Sequence, residues 1–230
     1  MFFFDIRYLL FSLPALLLAL LAQWRVQSAF SKYSRVHNMR DISGLEVAQV
    51  LLRSTGLSHV GIEGARQVLG DHYDPSKKVL RLSPQVARTP SVAALGVVAH
   101  EVGHALQDQT DYAPLRMRAG LVPLVNVGTW LGMIFFFVGL VLQFSGLVWV
   151  GIIFFSGSVV FAFVTIPVER DASRRALQIL QAESLVGNTD IAGVQAVLSA
   201  ASLTYVAALA QALSQLLYFV FLATGMSRRD

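Results

Sequence analysis

Cysteine is missing from all 230 residues. That absence excludes a disulfide framework, a thiolate nucleophile and any cysteine-ligated zinc or iron–sulfur centre, so a metal here must be held by His, Asp or Glu. Charge is scarce as well. Asp, Glu, Lys and Arg make up 14% of the chain against 55% hydrophobic residues, where a water-soluble protein carries about a quarter charged. The balance excludes a disordered protein and argues against a water-soluble enzyme. The formal net charge is +4, but Lys and Arg are scattered at the edges of apolar blocks and form no stripe. They suit an acidic lipid surface and not nucleic acid.

What is present is apolar and concentrated. From Tyr8 to Trp24 the chain is uncharged and flanked by aromatics. As a helix this run covers about 25 Å, and Phe2–Phe4 can lengthen it. No Lys or Arg precedes Arg7 and no clear small-residue cleavage site follows, so it reads as a retained first span and not a cleaved leader. Ala119 to Val168 carries no charge either, and Gln143-Phe144-Ser145-Gly146 is its polar interruption. The pattern predicts a hairpin of two spans, about 119–142 and 147–166. From Ile191 to Ser227 a further charge-free run begins with the amphipathic IAGVQAVLSAAS and continues into a span over 203–223.

The fold class expected is a mainly α membrane protein, with four transmembrane helices and a small α+β catalytic region. The chain divides into a first span (1–24), a region carrying the chemistry (25–118), the hairpin (119–166), a helical segment (167–202) and the last span with its tail (203–230). Four spans put 25–118 and 167–202 on one side of the bilayer. Arg25, Lys32, Arg35, Arg40, Arg116, Arg118, Arg170, Arg174 and Arg175 flank spans there, against Arg7, Arg228 and Arg229 on the other. The excess of positive charge assigns the shared side to the cytoplasm and the protein to the cell membrane.

The region after the first span has its own local signals. Ser43 and Glu46 form an S-x-x-E capping box opening a helix over 43–55, closed by Gly56. Strands are expected at 60–62 and 79–83, with the turn Asp74-Pro75-Ser76-Lys77 before the second. Thr89-Pro90-Ser91 opens a helix to about Gln109 that carries His100-Glu101-Val102-Gly103-His104.

That spacing has a physical reading. Residues four apart share a helix face, so His100 and His104 can aim their imidazoles at one metal. Glu101, about a hundred degrees around, is placed to reach a water at the metal and not to complete the ligand face. Gly96, Ala99 and Gly103 keep the adjoining surface small enough for close packing. A third ligand is needed. His37, His59 and His72 all precede the motif helix, and carboxylates are the other candidates. Glu169 is the first charge after the hairpin, on the matching side, and opens a helix after Pro167. A carboxylate at the membrane boundary is costly unless paired or metal-bound. Asp171 is the rival ligand, or a partner of one.

Several blocks together resemble a known family. They are His100–Gln107, Asp71-His72-Tyr73-Asp74-Pro75, Leu82-Ser83-Pro84, Pro167–Ala176 and Leu203-Thr204-Tyr205-Val206-Ala207. In these the chain is similar to the YugP-like neutral zinc metallopeptidases of bacterial membranes, over nearly its whole length. The resemblance implies a membrane-integral, zinc-dependent protease of gluzincin-like (zincin) layout. His100, His104 and Glu169 would be the Zn2+ ligands and Glu101 the catalytic base, acting on a peptide or membrane-protein substrate. A distant similarity to CAAX prenyl-protease types points to the same glutamate. Those relatives carry Asp four residues after it, where this chain has Ser173.

Zinc-activated water with a glutamate base is thus the chemistry expected. Tyr205, at the start of the last span, is the candidate for steadying the oxyanion, ahead of His72 and Tyr112. The strand at 79–83, with Leu80 and Leu82 alternating, is expected on the resemblance to offer an open edge to substrate, guarded by Lys77, Lys78 and Arg81. Two rival readings are a zinc-binding scaffold without catalysis and an intramembrane site-2-type protease. The second fits poorly, because Glu101, Gln107, Asp108 and Asp111 make the motif helix polar at its end.

Overall fold

The computed structural model describes residues 6–65 and 70–226. Phe2–Phe4, Arg228 and Arg229, invoked above, lie outside the described residues. The fold is mainly helical with a small sheet. Its elements are α1 (Ile6–Tyr33), α2 (Gly44–Ser54), β1 (Gly61–Gly64), β2 (His72–Asp74), β3 (Val79–Leu82), α3 (Pro84–Arg88), α4 (Val92–Gln109), α5 (Ala113–Val141), α6 (Ser145–Ala182) and α7 (Asn188–Met226). Four of them, α1, α5, α6 and α7, are long and apolar enough to cross a membrane. Two compact units are formed by separate stretches of chain.

One unit comprises Met1–Gln23, Arg116–Pro167 and Leu203–Asp230. Its helices turn large apolar side chains outward, among them Leu124, Trp130, Ile153 and Phe163, a surface that suits lipid and not water. Inside, Phe136 of α5 stacks on Phe219 of α7 with ring centroids 3.9 Å apart, and Phe155 of α6 meets Phe219 edge-on at 5.1 Å. Glycines let α5 and α6 approach backbone to backbone. A Cβ on Gly132 would lie 2.9 Å from Gly151 O, and one on Gly151 would lie 2.5 Å from Phe136 N. Lipid gives no hydrophobic drive between helices, so such small-residue contacts carry their packing. The hairpin turn falls at 142–144, where Gln143 has φ 52°.

The helix expected to begin after Pro167 does not begin there. Pro167 lies inside α6, and the amphipathic and spanning parts of the last charge-free run form one helix, α7. Proline removes one amide donor and crowds the carbonyl four residues back. In apolar surroundings a helix remains the conformation that satisfies the other backbone groups, and prolines are tolerated inside it.

The other unit comprises Trp24–Leu115 and Val168–Ser202. The capping box forms as expected: Glu46 N–H donates to Ser43 Oγ, and Ser43 N–H donates to Glu46 Oε2 at 2.7 Å. Gly56 follows the helix with φ 74°. Ser91 caps α4, its Oγ accepting from Ala94 N–H at 3.1 Å. Buried Val47, Leu51, Leu80, Leu82, Leu95, Val98, Leu180 and Val194 belong to one core that joins α2, the sheet, α4 and the segments of α6 and α7 in this unit.

The sheet order is β1-β3-β2. β3 is therefore central, not the open edge expected on the resemblance. It pairs in parallel with β1, Gly61 opposite Val79, and antiparallel with β2, Tyr73 opposite Leu80. Two of the three basic residues expected to guard that edge have partners instead. Arg81 binds Asp74 and Glu63, and Lys78 binds Asp108. A proline at Arg81 would thus break the sheet and report on folding instead of substrate. The edge strand against α4 is β2, which is short, polar and without hydrophobic alternation.

Candidate metal centre

Helix α4 carries His100 and His104 one turn apart, as its spacing requires, and the two rings meet edge-on with centroids 4.8 Å apart. Glu169 arrives from α6. Its Oε2 lies 3.2 Å from His100 Nε2 and 3.5 Å from His104 Nε2. One ligand atom from each residue falls within 4.8 Å of the other two, and this is the metal-capable cluster among the described residues. Metal–ligand bonds of 2.0–2.2 Å in a tetrahedron would hold donors about 3.4 Å apart. Two imidazole nitrogens and one carboxylate oxygen therefore fit zinc in both chemistry and spacing.

Close helix contact makes the convergence possible. A Cβ on Gly103 would come within 2.5 Å of Ala172 O, so α4 can approach the α6 backbone at this level only with glycine there. Glu169 and Asp171 are buried. Asp171, the rival ligand, is not in the cluster. Its carboxylate accepts from Gln107 Nε2 at 3.0 Å and from Arg175 Nε at 2.6 Å, and also from Arg174.

The far nitrogens of both histidines are occupied. His100 Nδ1 lies 3.2 Å from Ser173 Oγ, and His104 Nδ1 lies 3.0 Å from Gln107 Oε1. Both Nε2 atoms are thereby turned inward. Ser173, where the prenyl-protease types have Asp, does contact a ligand. Gln107 was legible only as a polar residue on a helix, and its burial on the ligand side was not anticipated. Burial pushes the His104 imidazole toward its neutral form. Glu169 and Glu101 outweigh that push, and its pKa is raised. A cation bound here would compete with that proton.

Glu101 stands beside the cluster and not in it. Its Oε2 accepts from Tyr73 N–H of β2 at 2.9 Å. The Tyr73 phenol donates to Asp108 Oδ2 at 2.6 Å, and burial followed by that bond raises its pKa. The other histidines are not in the ligand cluster. His37 pairs with Asp41 at 2.8 Å on the surface. His59 is exposed. His72 lies on β2 with Nδ1 against Gly70 O at 2.8 Å. Tyr112 has Arg175 over its ring at 5.7 Å. Tyr205 lies on α7, in the stretch of that helix assigned to the other unit.

Known proteins resemble this chain in sequence. The family described as "Putative neutral zinc metallopeptidase" matches residues 8–224. This chain belongs to that family. Zinc is the metal the family's name implies, and the two histidines and glutamate supply a donor set that suits it. Within the same resemblance, the "Putative membrane protease YugP" of Bacillus subtilis (strain 168) is 42% identical over 215 residues, covering 94% of this chain and 96% of that protein. No solved structure matches. The similarity to a "Putative membrane protease" and the four apolar helices together support a multi-pass membrane protein.

Proposed function

We propose that this protein is a membrane-integral zinc peptidase that hydrolyses peptide bonds on the cytoplasmic side, in a gluzincin-like arrangement. The observation that carries the reading is the convergence of His100, His104 and Glu169, with Glu101 adjoining them on the same helix as the two histidines. When bound there, zinc supplies Lewis acidity toward a water molecule and a substrate carbonyl. Glu101 accepts the proton released by the attacking water and passes it to the leaving amine. Tyr73 N–H holds one carboxylate oxygen of Glu101 and so fixes where the other can receive that proton. The substrate is a polypeptide taken in extended form, as an endopeptidase requires.

The motif helix α4 is not among the helices suited to span a membrane, which disfavours the intramembrane site-2-type reading. Digestion of casein or a peptide library by the purified full chain in detergent tests the proposal. Hydrolysis should stop with chelator and return with zinc. Glu101→Gln should keep zinc while kcat falls about 10²–10⁴-fold, whereas Glu169→Ala should lose the metal. Chelator-insensitive hydrolysis, or a fully active Glu101→Gln, overturns the mechanism. Zinc binding with no hydrolysis across the library supports the scaffold instead.

A further inference from the structure

Gln107 is fully buried, and each end of its amide faces a partner of fixed character. One end lies 2.8 Å from Val168 O and 3.0 Å from Asp171 Oδ2. A carbonyl and an ion-paired carboxylate only accept, so the amide end facing them is the NH2. The oxygen must then face His104 Nδ1, at 3.0 Å. That nitrogen consequently carries the ring proton, and His104 Nε2 keeps its lone pair for the ligand cluster. His100 is held differently, because the Ser173 hydroxyl can donate or accept and dictates no tautomer.

We infer that Gln107 is the positioning residue of the metal centre: it fixes the tautomer of His104 and ties the helix that bears the histidines to the peptide unit preceding Glu169. The inference rests on the zinc reading above and goes beyond it, by naming what presents the ligands. A single side chain binds one ligand directly and the backbone beside another, so both helices are held in one register. Arg174 and Arg175 keep Asp171 ionised and aimed at the amide, which maintains the amide's orientation.

The test uses the full chain in detergent micelles, with histidine 15N NMR on the metal-free protein and zinc affinity by chelator competition. At a pH where the ring is neutral, wild type should show His104 as a single Nδ1–H tautomer. Gln107→Met should mix the tautomers and weaken zinc binding about 10–100-fold, the range for partners of metal ligands. Gln107→Glu should weaken it too, by setting a carboxylate against Asp171 and Val168 O. Adding Asp171→Asn to Gln107→Glu should recover part of the affinity, since the new amide donates to the introduced carboxylate, which still accepts from His104, while the repulsion from Val168 O remains. Loss through general destabilisation would not be reversed by that second change.

A Gln107→Met protein with one Nδ1–H tautomer and zinc affinity within twofold of wild type overturns the inference. So does a folded double variant that binds zinc no better than Gln107→Glu alone, and this pair decides the matter if Gln107→Met does not fold. Wild type that binds no zinc would overturn the functional proposal. The metal-free tautomer would still decide where the Gln107 oxygen points.

Discussion

Individual side chains set the local geometry around the centre through bonds that the spacing of the sequence allows. Asp74 shows the principle outside the ligands. Its carboxylate accepts from Ser76 Oγ at 2.6 Å, from the N–H groups of Ser76 and Lys77, and from Arg81 at 2.9 Å. The Ser76 hydroxyl first, then Arg81 and the turn amides, hold its pKa below the usual carboxylate value against partial desolvation. Because the folded value lies below the unfolded one, near 4, the stabilisation is complete above about pH 4 and fades as pH falls through the lowered value. Wild type should therefore melt higher than Asp74→Asn at pH 7, with the gap closing toward pH 3. A gap independent of pH would assign the effect to the turn's shape and not its charge.

Among elements, the approach of α4 to α6 is the sensitive contact. Gly103→Ala drives a Cβ to 2.5 Å from Ala172 O, which is backbone and cannot swing away. It should cost about 1–3 kcal/mol, as overpacking does, and weaken zinc binding by parting the ligand helices. Gly96→Ala is its control. There the Cβ would sit 3.4 Å from the movable Val194 Cγ1, and removing a mid-helix glycine should return up to about 1 kcal/mol. Melting curves and zinc titrations of both variants check the contrast. Equal behaviour would mean that the helices do not approach as described.

The caps of α2 and α4 and the His–Glu pattern were legible in sequence because each depends on residues within a turn or two of one another. Other features were not. Alternation at Leu80 and Leu82 reports a buried face, but says nothing of how many strands flank it, so the resemblance alone made β3 an edge. His72-Tyr73-Asp74 has no alternation to betray a strand, although it lies in a block that resembled the family. α3 is announced by Ser83 and Pro84 at its start, but its five residues are too few to show a helical period. Pro167 looked like a boundary because helix rules drawn from water overstate its cost in an apolar setting. Gln107 read as evidence of a wet helix end, when its polarity is satisfied inside.

At the scale of the whole chain, four apolar helices and the distribution of Lys and Arg set the orientation to be tested. The absence of cysteine gives a clean background for it. Single cysteines at the exposed positions Lys77 and Leu142 should report opposite sides of the membrane. In intact cells an impermeant maleimide should label Leu142→Cys and spare Lys77→Cys until the membrane is opened. The reverse pattern would turn the protein over and place the metal centre outside the cytoplasm.

The ligands are also separated in time. His100 and Glu169 lie 69 positions apart, and the charge-free hairpin is translated between them. A ribosome that has released the His100–His104 helix has made only two thirds of a binding site. The last donor emerges after the apolar segments have left the exit tunnel for the bilayer. A half-made chain therefore holds no complete donor set. On the proposed reading, competence arrives late in synthesis, because the order of residues along the chain delays the third donor.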